Sequence, residues 1–162
     1  MDKNIKHVEE IIIYDCDGVL LDSSHRVRHV EINGKKVLNL EHWRENEHKT
    51  IYDEILPTVK KYWEDLKNLS KLVIICTARE VKPLDIGVIK QKIGHPDILL
   101  HRDLGCNKST MQMKIEKIND LIEEHNLHGK PIKIYEDNID NLKYLCDHFQ
   151  CEGVYIPSKQ GF

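Results

Sequence analysis

Apolar residues gather in five short runs along the chain: Ile11–Tyr14, Leu72–Cys76, Ile98–Leu100, Ile132–Tyr135 and Val154–Ile156. Each is rich in Ile, Val, Leu or Tyr and reads without period-2 alternation, the pattern of strands buried on both faces. Between the runs, apolar residues recur every three or four positions. Pro57–Leu69 carries Val59, Tyr62, Trp63, Leu66 and Leu69. Thr110–His125 carries Met111, Ile115, Ile118, Leu121 and Ile122, and Ile139–Phe149 carries Leu142, Leu145, Cys146 and Phe149. These spacings predict three helices, and strands alternating with helices predict an α/β fold with a mainly parallel sheet.

One segment departs from this rhythm. Residues 25–38 alternate apolar and polar positions around Asn33-Gly34. An Asn-Gly pair between alternating runs is a strong hairpin signal, so a β-hairpin is expected between the first strand and the first long helix. It is too small to be a domain. The 162 residues suit one domain, 1–162, with a small insert at about 24–50.

Composition narrows the class. A net charge of −3 gives no bulk attraction to nucleic acid or membrane and implies no stable nucleic-acid binding. The ten histidines let that charge turn positive near pH 6. No apolar run approaches membrane-span length, and the charged start MDKNIKHVEE does not resemble a signal peptide. Five cysteines without CxxC spacing argue for reduced thiols in a cytoplasmic protein. Cys16, between two aspartates, reads as a buried thiol without catalytic role.

In open α/β sheets, sites form beyond the carboxyl ends of the strands. After the first run come Asp15-Cys16-Asp17-Gly18, after the second Thr77-Ala78-Arg79, and after the fourth Glu136-Asp137-Asn138. Carboxylates converging in one crevice repel each other and must take up protons or a cation. Hard oxygen ligands suit Mg2+ rather than zinc. A carboxylate can attack phosphorus, a cation and a lysine can neutralise the phosphate, and a second carboxylate can protonate the leaving oxygen. Gly18 permits the tight turn that keeps both aspartates in the crevice.

DCDGVLLDS (15–23) resembles the first motif of the haloacid dehalogenase superfamily, DxDGxLxDS. CTAR (76–79) is similar to its second motif, Lys114 to its third and KIYEDN (133–138) to its fourth. The resemblance implies a three-layer Rossmann-like domain with a five-stranded sheet in the order 5-4-1-2-3 and a minimal cap. It implies a Mg2+-dependent phosphomonoesterase working through an aspartyl phosphate. Asp15 is then the nucleophile, Asp17 the general acid and base, Thr77 a phosphate ligand and Lys114 the neutralising cation. Thr77, Ala78, Arg79 and Gly18 contact substrate. Asp15, Asp17 (through its backbone carbonyl) and Asp137 hold Mg2+, with Glu136, Asn138 and Asn141 around them. Asn141 stands where many members carry aspartate, and Glu136 where they carry Gly or Asp. Asp at position 17 is similar to the phosphatases rather than the dehalogenases. The runs ST…K…I…YED, TAR and HW…YD…LP resemble phage and nucleic-acid-repair members, including the phosphatase domain of phage-type polynucleotide kinase-phosphatases.

Plainer readings stand beside these. Asp15 and Asp17 could make an Asx turn; Asp137 and Thr77 could be helix caps. Lys108 competes with Lys114 as the catalytic lysine. Arg79 could clamp a phosphate or form a surface ion pair. His25, Arg26, Arg28, His29, Lys35 and Lys36 could draw a polyanion, but a solvated hairpin face is the stronger reading. Trp43 and Trp63 read as core. His101-Arg102-Asp103-Leu104 mimics a kinase catalytic loop, but the chain has no glycine-rich loop or DFG. A minimal cap leaves the site open to a phosphorylated small molecule or a nucleic-acid end, or to a second protomer of a homo-oligomer acting as a lid. Phosphotransfer on the same scaffold and a non-catalytic binding module are the alternatives to hydrolysis.

Overall fold

The computed structural model describes residues 3–159, so both ends of the expected 1–162 domain lie outside the described residues. The elements in chain order are β1 (Glu10–Tyr14), β2 (Leu21–Asp22), β3 (His29–Ile32), β4 (Lys35–Leu38), α1 (Leu40–Glu45), β5 (Glu54–Ile55) and α2 (Val59–Lys67). There follow β6 (Lys71–Glu80), α3 (Pro83–Lys92), β7 (Ile98–Arg102), α4 (Thr110–Glu124), β8 (Ile132–Glu136), α5 (Ile139–Phe149) and β9 (Glu152–Tyr155). The main sheet runs β7-β6-β1-β8-β9, every pairing parallel. This is the expected order read from the opposite edge.

The unbroken apolar run of β1 is explained by the two layers it separates. Ile12 and Tyr14 enter the cluster with Tyr62 of α2 and Val88 and Ile89 of α3. Ile11 and Ile13 enter the other, with Ile118 and Leu121 of α4 and Leu142 and Leu145 of α5. Alternate residues of one strand thus feed opposite layers. Each of these isoleucines is fully buried and contributes roughly 1.5–3 kcal/mol through that burial. The alternation also aims Asp15, the next odd position, at the α4 side.

Helix α3 is absent from the sequence pattern. Leu84, Ile86, Val88 and Ile89 scatter around the helix, and Leu84 and Ile86 are exposed. Its start is instead marked by Pro83 at the first helical position and Asp85 in the first turn. The helix expected over 57–69 is shorter, and Leu69, expected on its apolar face, is exposed. Strand β6 extends to Glu80 rather than Cys76, with an irregular register against β7 between Cys76 and Glu80.

The insert leaves and rejoins the core through a two-stranded ribbon, β2 against β5. The hairpin β3–β4 turns at Asn33 and Gly34, both at positive φ, which selects Asn-Gly there. The hairpin strands begin at His29, not His25. His25 and Arg26 lie in a 3-10 turn, Ser24–Arg26. Arg26 is not on a solvated face as the sequence suggested: it is 1% exposed. Its Nε and Nη2 donate to both oxygens of Asp53, at 3.0 and 2.8 Å. That bidentate pair clasps the start of the insert to its end. Among the described residues, no helix is long and apolar enough to cross a membrane.

Candidate active site

Register brings the acidic residues together. Tyr14 lies level with Ile75 on one side and Tyr135 on the other, so Asp15 emerges beside Cys76 and Glu136. The Asp15 backbone N–H donates to the Tyr135 carbonyl at 3.0 Å. The loop then closes tightly, the Cys16 carbonyl accepting from the N–H groups of Leu20 and Leu21 at 3.0 and 3.1 Å. Gly18 sits at φ +82° in this loop. A Cβ there would lie 2.2 Å from Asp137 Oδ2 and 2.8 Å from Ser158 Oγ. Its hydrogen-only side chain is what lets the two strand-end loops touch.

Lys114 of α4 is 2% exposed and reaches both neighbours: Nζ lies 3.2 Å from Asp15 Oδ1 and 2.9 Å from Glu136 Oε2. Lys108 instead pairs with Glu116 at the surface. Asp15 Oδ1 also accepts from the Cys16 N–H at 2.9 Å. The carboxylates of Asp15, Glu136 and Asp137 each offer an oxygen within 4.8 Å of the others. Burial, then the charge of Glu136, pushes Asp15 up to about 8 despite Lys114. Burial and the charge of Asp15 push Asp137 up to about 6. Burial opposes the charge of Lys114, but Asp15 and Glu136 overcome it and hold the ammonium well above its usual range. Three buried carboxylates face one ammonium, a cluster short of positive charge and built from hard oxygens. It fits a divalent cation of the Mg2+ kind.

Asp17 lies outside that cluster and belongs to a second one. Its Oδ1 accepts from the Ser23 hydroxyl at 2.9 Å. Arg79 binds it twice, Nε donating to Oδ2 at 3.0 Å and Nη2 to Oδ1. Burial disfavours the charged form of Asp17, yet the Arg79 guanidinium holds the carboxyl below its ordinary range. Arg79 is buried and also donates to Asp85 at 2.9 Å, so it is no surface ion pair. Nη2 lies 3.6 Å from Asp53, tying Asp17 to the clasp of the insert. Asp53 falls in the HW…YD…LP run, but neither it nor Asp85 was expected at the site.

A cavity of about 590 Å³ opens over both clusters, a volume usual for small-molecule sites. Its walls include Asp15, Asp17, Ala78, Arg79, Lys114, Glu136, Asp137, Asn138 and Asn141. Thr77 and Gly18 are not among the lining residues. Thr77 is in strand β6 rather than at a helix cap, its hydroxyl accepting from the Arg79 N–H at 3.3 Å. Asn138, not Asp137, caps α5, accepting from the Asn141 N–H at 3.0 Å. Asp137 accepts instead from the Ser158 hydroxyl at 2.6 Å. Trp43 is not core: it is half-buried and lines the cavity. Trp63 is partly exposed and donates from Nε1 to the Ile93 carbonyl at 2.8 Å.

The fold and the paired clusters define an α/β domain with an acidic, oxygen-lined site at the carboxyl ends of its parallel strands. Residues 1–123 match the family of the bacteriophage T5 5′-deoxynucleotidase, and the chain belongs to that family. No curated protein matches the sequence. Among solved structures, a haloacid dehalogenase-like hydrolase of Streptococcus pneumoniae superposes with a TM-score of 0.64 at 14% identity, over 92% of this chain and 87% of that one. A haloacid dehalogenase-superfamily hydrolase of Geobacter sulfurreducens gives 0.60 at 13% identity, over 100% and 95%. A chain of the Pnkp1/Rnl/Hen1 RNA repair complex gives 0.61 at 16% identity, covering 98% of this chain but 45% of that one. This chain therefore spans under half the length of that relative.

Proposed function

We propose that this protein removes the 5′-phosphate from deoxynucleoside monophosphates, with Asp15 as nucleophile. Family membership supplies the substrate class. The observation that carries the chemistry is the contact of buried Lys114 with Asp15 in a cavity of nucleotide size.

An Asp15 oxygen attacks phosphorus, and the bond from phosphorus to the 5′ oxygen breaks. Asp17 gives that oxygen its proton. Water then attacks the aspartyl phosphate, Asp17 takes the proton released, and inorganic phosphate leaves with Asp15 restored. Arg79 keeps Asp17 charged at rest, the form the second step needs; the first step draws on the protonated minority. Lys114 offsets charge on Asp15 and the incoming phosphoryl oxygens. Asp15, Glu136 and Asp137 would hold Mg2+, which supplies further neutralisation of the phosphate. The Asp17 backbone carbonyl is a fourth candidate ligand. Ala78 borders the phosphate, with Asn138 and Asn141 at the edge of the cavity, while Thr77 and Gly18 lie outside its lining.

The test is phosphate release from the four deoxynucleoside 5′-monophosphates with Mg2+, alongside 3′-phosphorylated oligonucleotides. The deoxynucleotides are the expected substrates, and Asp15→Asn abolishes turnover. Faster hydrolysis of the oligonucleotide ends would replace the substrate assignment, and activity surviving in Asp15→Asn would refute the mechanism.

A further inference from the structure

Trp43 has a setting that the phosphate chemistry does not use. It lies on α1, in the insert, and lines the cavity beside Val37, Leu38 and Leu40. Arg26 Cζ stands 4.2 Å from the centre of its ring, and Arg26 is itself locked on both oxygens of Asp53. The indole is thus braced by a fixed cation, a stabilising arrangement, while still bordering the open cavity. Arg79 Cζ lies 5.8 Å from the same ring, and its guanidinium holds Asp17. One side chain therefore separates the reacting end of the cavity from an aromatic wall.

We propose that Trp43 is the platform on which the nucleobase of the substrate stacks, with Val37, Leu38 and Leu40 completing an apolar base subsite. This rests on the reading of the substrate as a deoxynucleoside 5′-phosphate. A phosphate at Asp15 directs the sugar along Arg79 and the base toward the insert. Val37, Leu38 and Leu40 offer the base no side-chain donor or acceptor, so its affinity comes from stacking, while Lys36, Arg44 and Glu47 border the same cavity. Purines, with the larger ring face, bind more tightly than pyrimidines.

Kinetics on dAMP, dCMP and deoxyribose 5-phosphate test this. Stacking losses measured by alanine substitution predict that Trp43→Ala raises KM for dAMP about tenfold, with kcat changed less. Trp43→Phe keeps most of the affinity. The loss on deoxyribose 5-phosphate is several-fold smaller, because that substrate has no base. An equal loss on both substrates overturns the proposal and leaves Trp43 as a cover for Arg26. Wild-type protein that handles deoxyribose 5-phosphate as well as dAMP removes the subsite while sparing the phosphatase reading. Wild-type protein that turns over neither removes the substrate reading, and the subsite with it. Should Trp43→Ala fail to fold, a Trp63→Phe protein keeps Trp43 as its one tryptophan. Deoxyadenosine then quenches its fluorescence, and no quenching counts against the platform.

Discussion

Arg79 holds Asp17 with two nitrogens, Nε donating to Oδ2 at 3.0 Å and Nη2 to Oδ1, and uses Nη1 for Asp85. As Lys114 serves Asp15 and Glu136, the guanidinium serves the half-buried Asp17 and the buried Asp85 at once. Arg79→Ala strands both, and removing one partner of a buried ion pair costs about 3–5 kcal/mol; urea denaturation should show a loss of that order. Arg79→Lys keeps the charge but not the fork. With weaker opposition to burial, the Asp17 carboxyl rises from its lowered position. The limb of the kcat/KM profile set by Asp17 should then move to higher pH. An unmoved profile would mean that Arg79 does not govern the protonation of Asp17.

Glycines 18 and 34 share positive φ but differ in surroundings. At Gly34 a Cβ meets nothing within 4 Å, whereas at Gly18 it meets Asp137 and Ser158. Gly34→Ala should cost only backbone strain, on the order of 1 kcal/mol, and leave kcat within about twofold. Gly18→Ala must displace Asp137 as well. It should abolish both turnover and the rise in Tm on adding Mg2+. Equal effects at the two positions would remove the close approach as the reason for Gly18.

The acidic cluster has opposite consequences with and without a cation. Asp137 is raised to about 6 from an ordinary value near 4. A raised carboxyl contributes stability that is present below the unfolded value and is lost as pH rises through the folded one. At pH 8 the metal-free protein carries that penalty, at most about 3 kcal/mol for a shift of this size. Asp137→Asn keeps an acceptor for Ser158 and removes the charge. In chelator at pH 8 its Tm should exceed that of wild type, and in Mg2+ the order should reverse. Calorimetry in both buffers checks the pair of signs, and a variant less stable in chelator would contradict the repulsion.

The strand-end residues Asp15, Asp17 and Asp137 were legible because the carboxyl ends of buried strands are where such folds place chemistry. Glu136 was harder: its place beside Asp15 follows from the level pairing of Tyr14 with Tyr135, and register between parallel strands leaves no mark in either strand alone. Lys114 and Lys108 were separable by period. Lys114 lies on the stripe that buries Ile118 and Leu121, whereas Lys108 precedes the cap residue Ser109. The clasp of Arg26, Asp53, Arg79 and Asp85 was hidden. Charged residues carry no periodic signal, and their partners lie 6 to 62 residues away in sequence. Trp43 was misread because an aromatic beside a buried cation serves a wall as well as a core.

Tyr14, the residue before the nucleophile, is anchored at its far end by Asp65. Its hydroxyl donates to Asp65 Oδ2 at 2.6 Å, and its ring stacks on Tyr135 with centres 4.4 Å apart. Lys71 donates to the other Asp65 oxygen at 3.1 Å. Burial disfavours the charge on Asp65, but the Tyr14 hydroxyl and Lys71 outweigh it and lower the carboxyl below its ordinary range. A lowered carboxyl contributes stability above its unfolded value, near 4, which is lost as pH falls through the folded one. Asp65→Asn should therefore destabilise at pH 7 by about 1–3 kcal/mol, the cost of a buried hydrogen bond to a charged group. The gap to wild type should narrow steadily below pH 4, as wild type loses what the variant never had. Tyr14→Phe should show a similar loss at pH 7. Because Tyr14 positions the strand end, kcat should fall further than stability alone accounts for. Denaturation curves from pH 3 to 8 decide the first point: a gap independent of pH would show that packing, not the ionised carboxylate, anchors this end of β1.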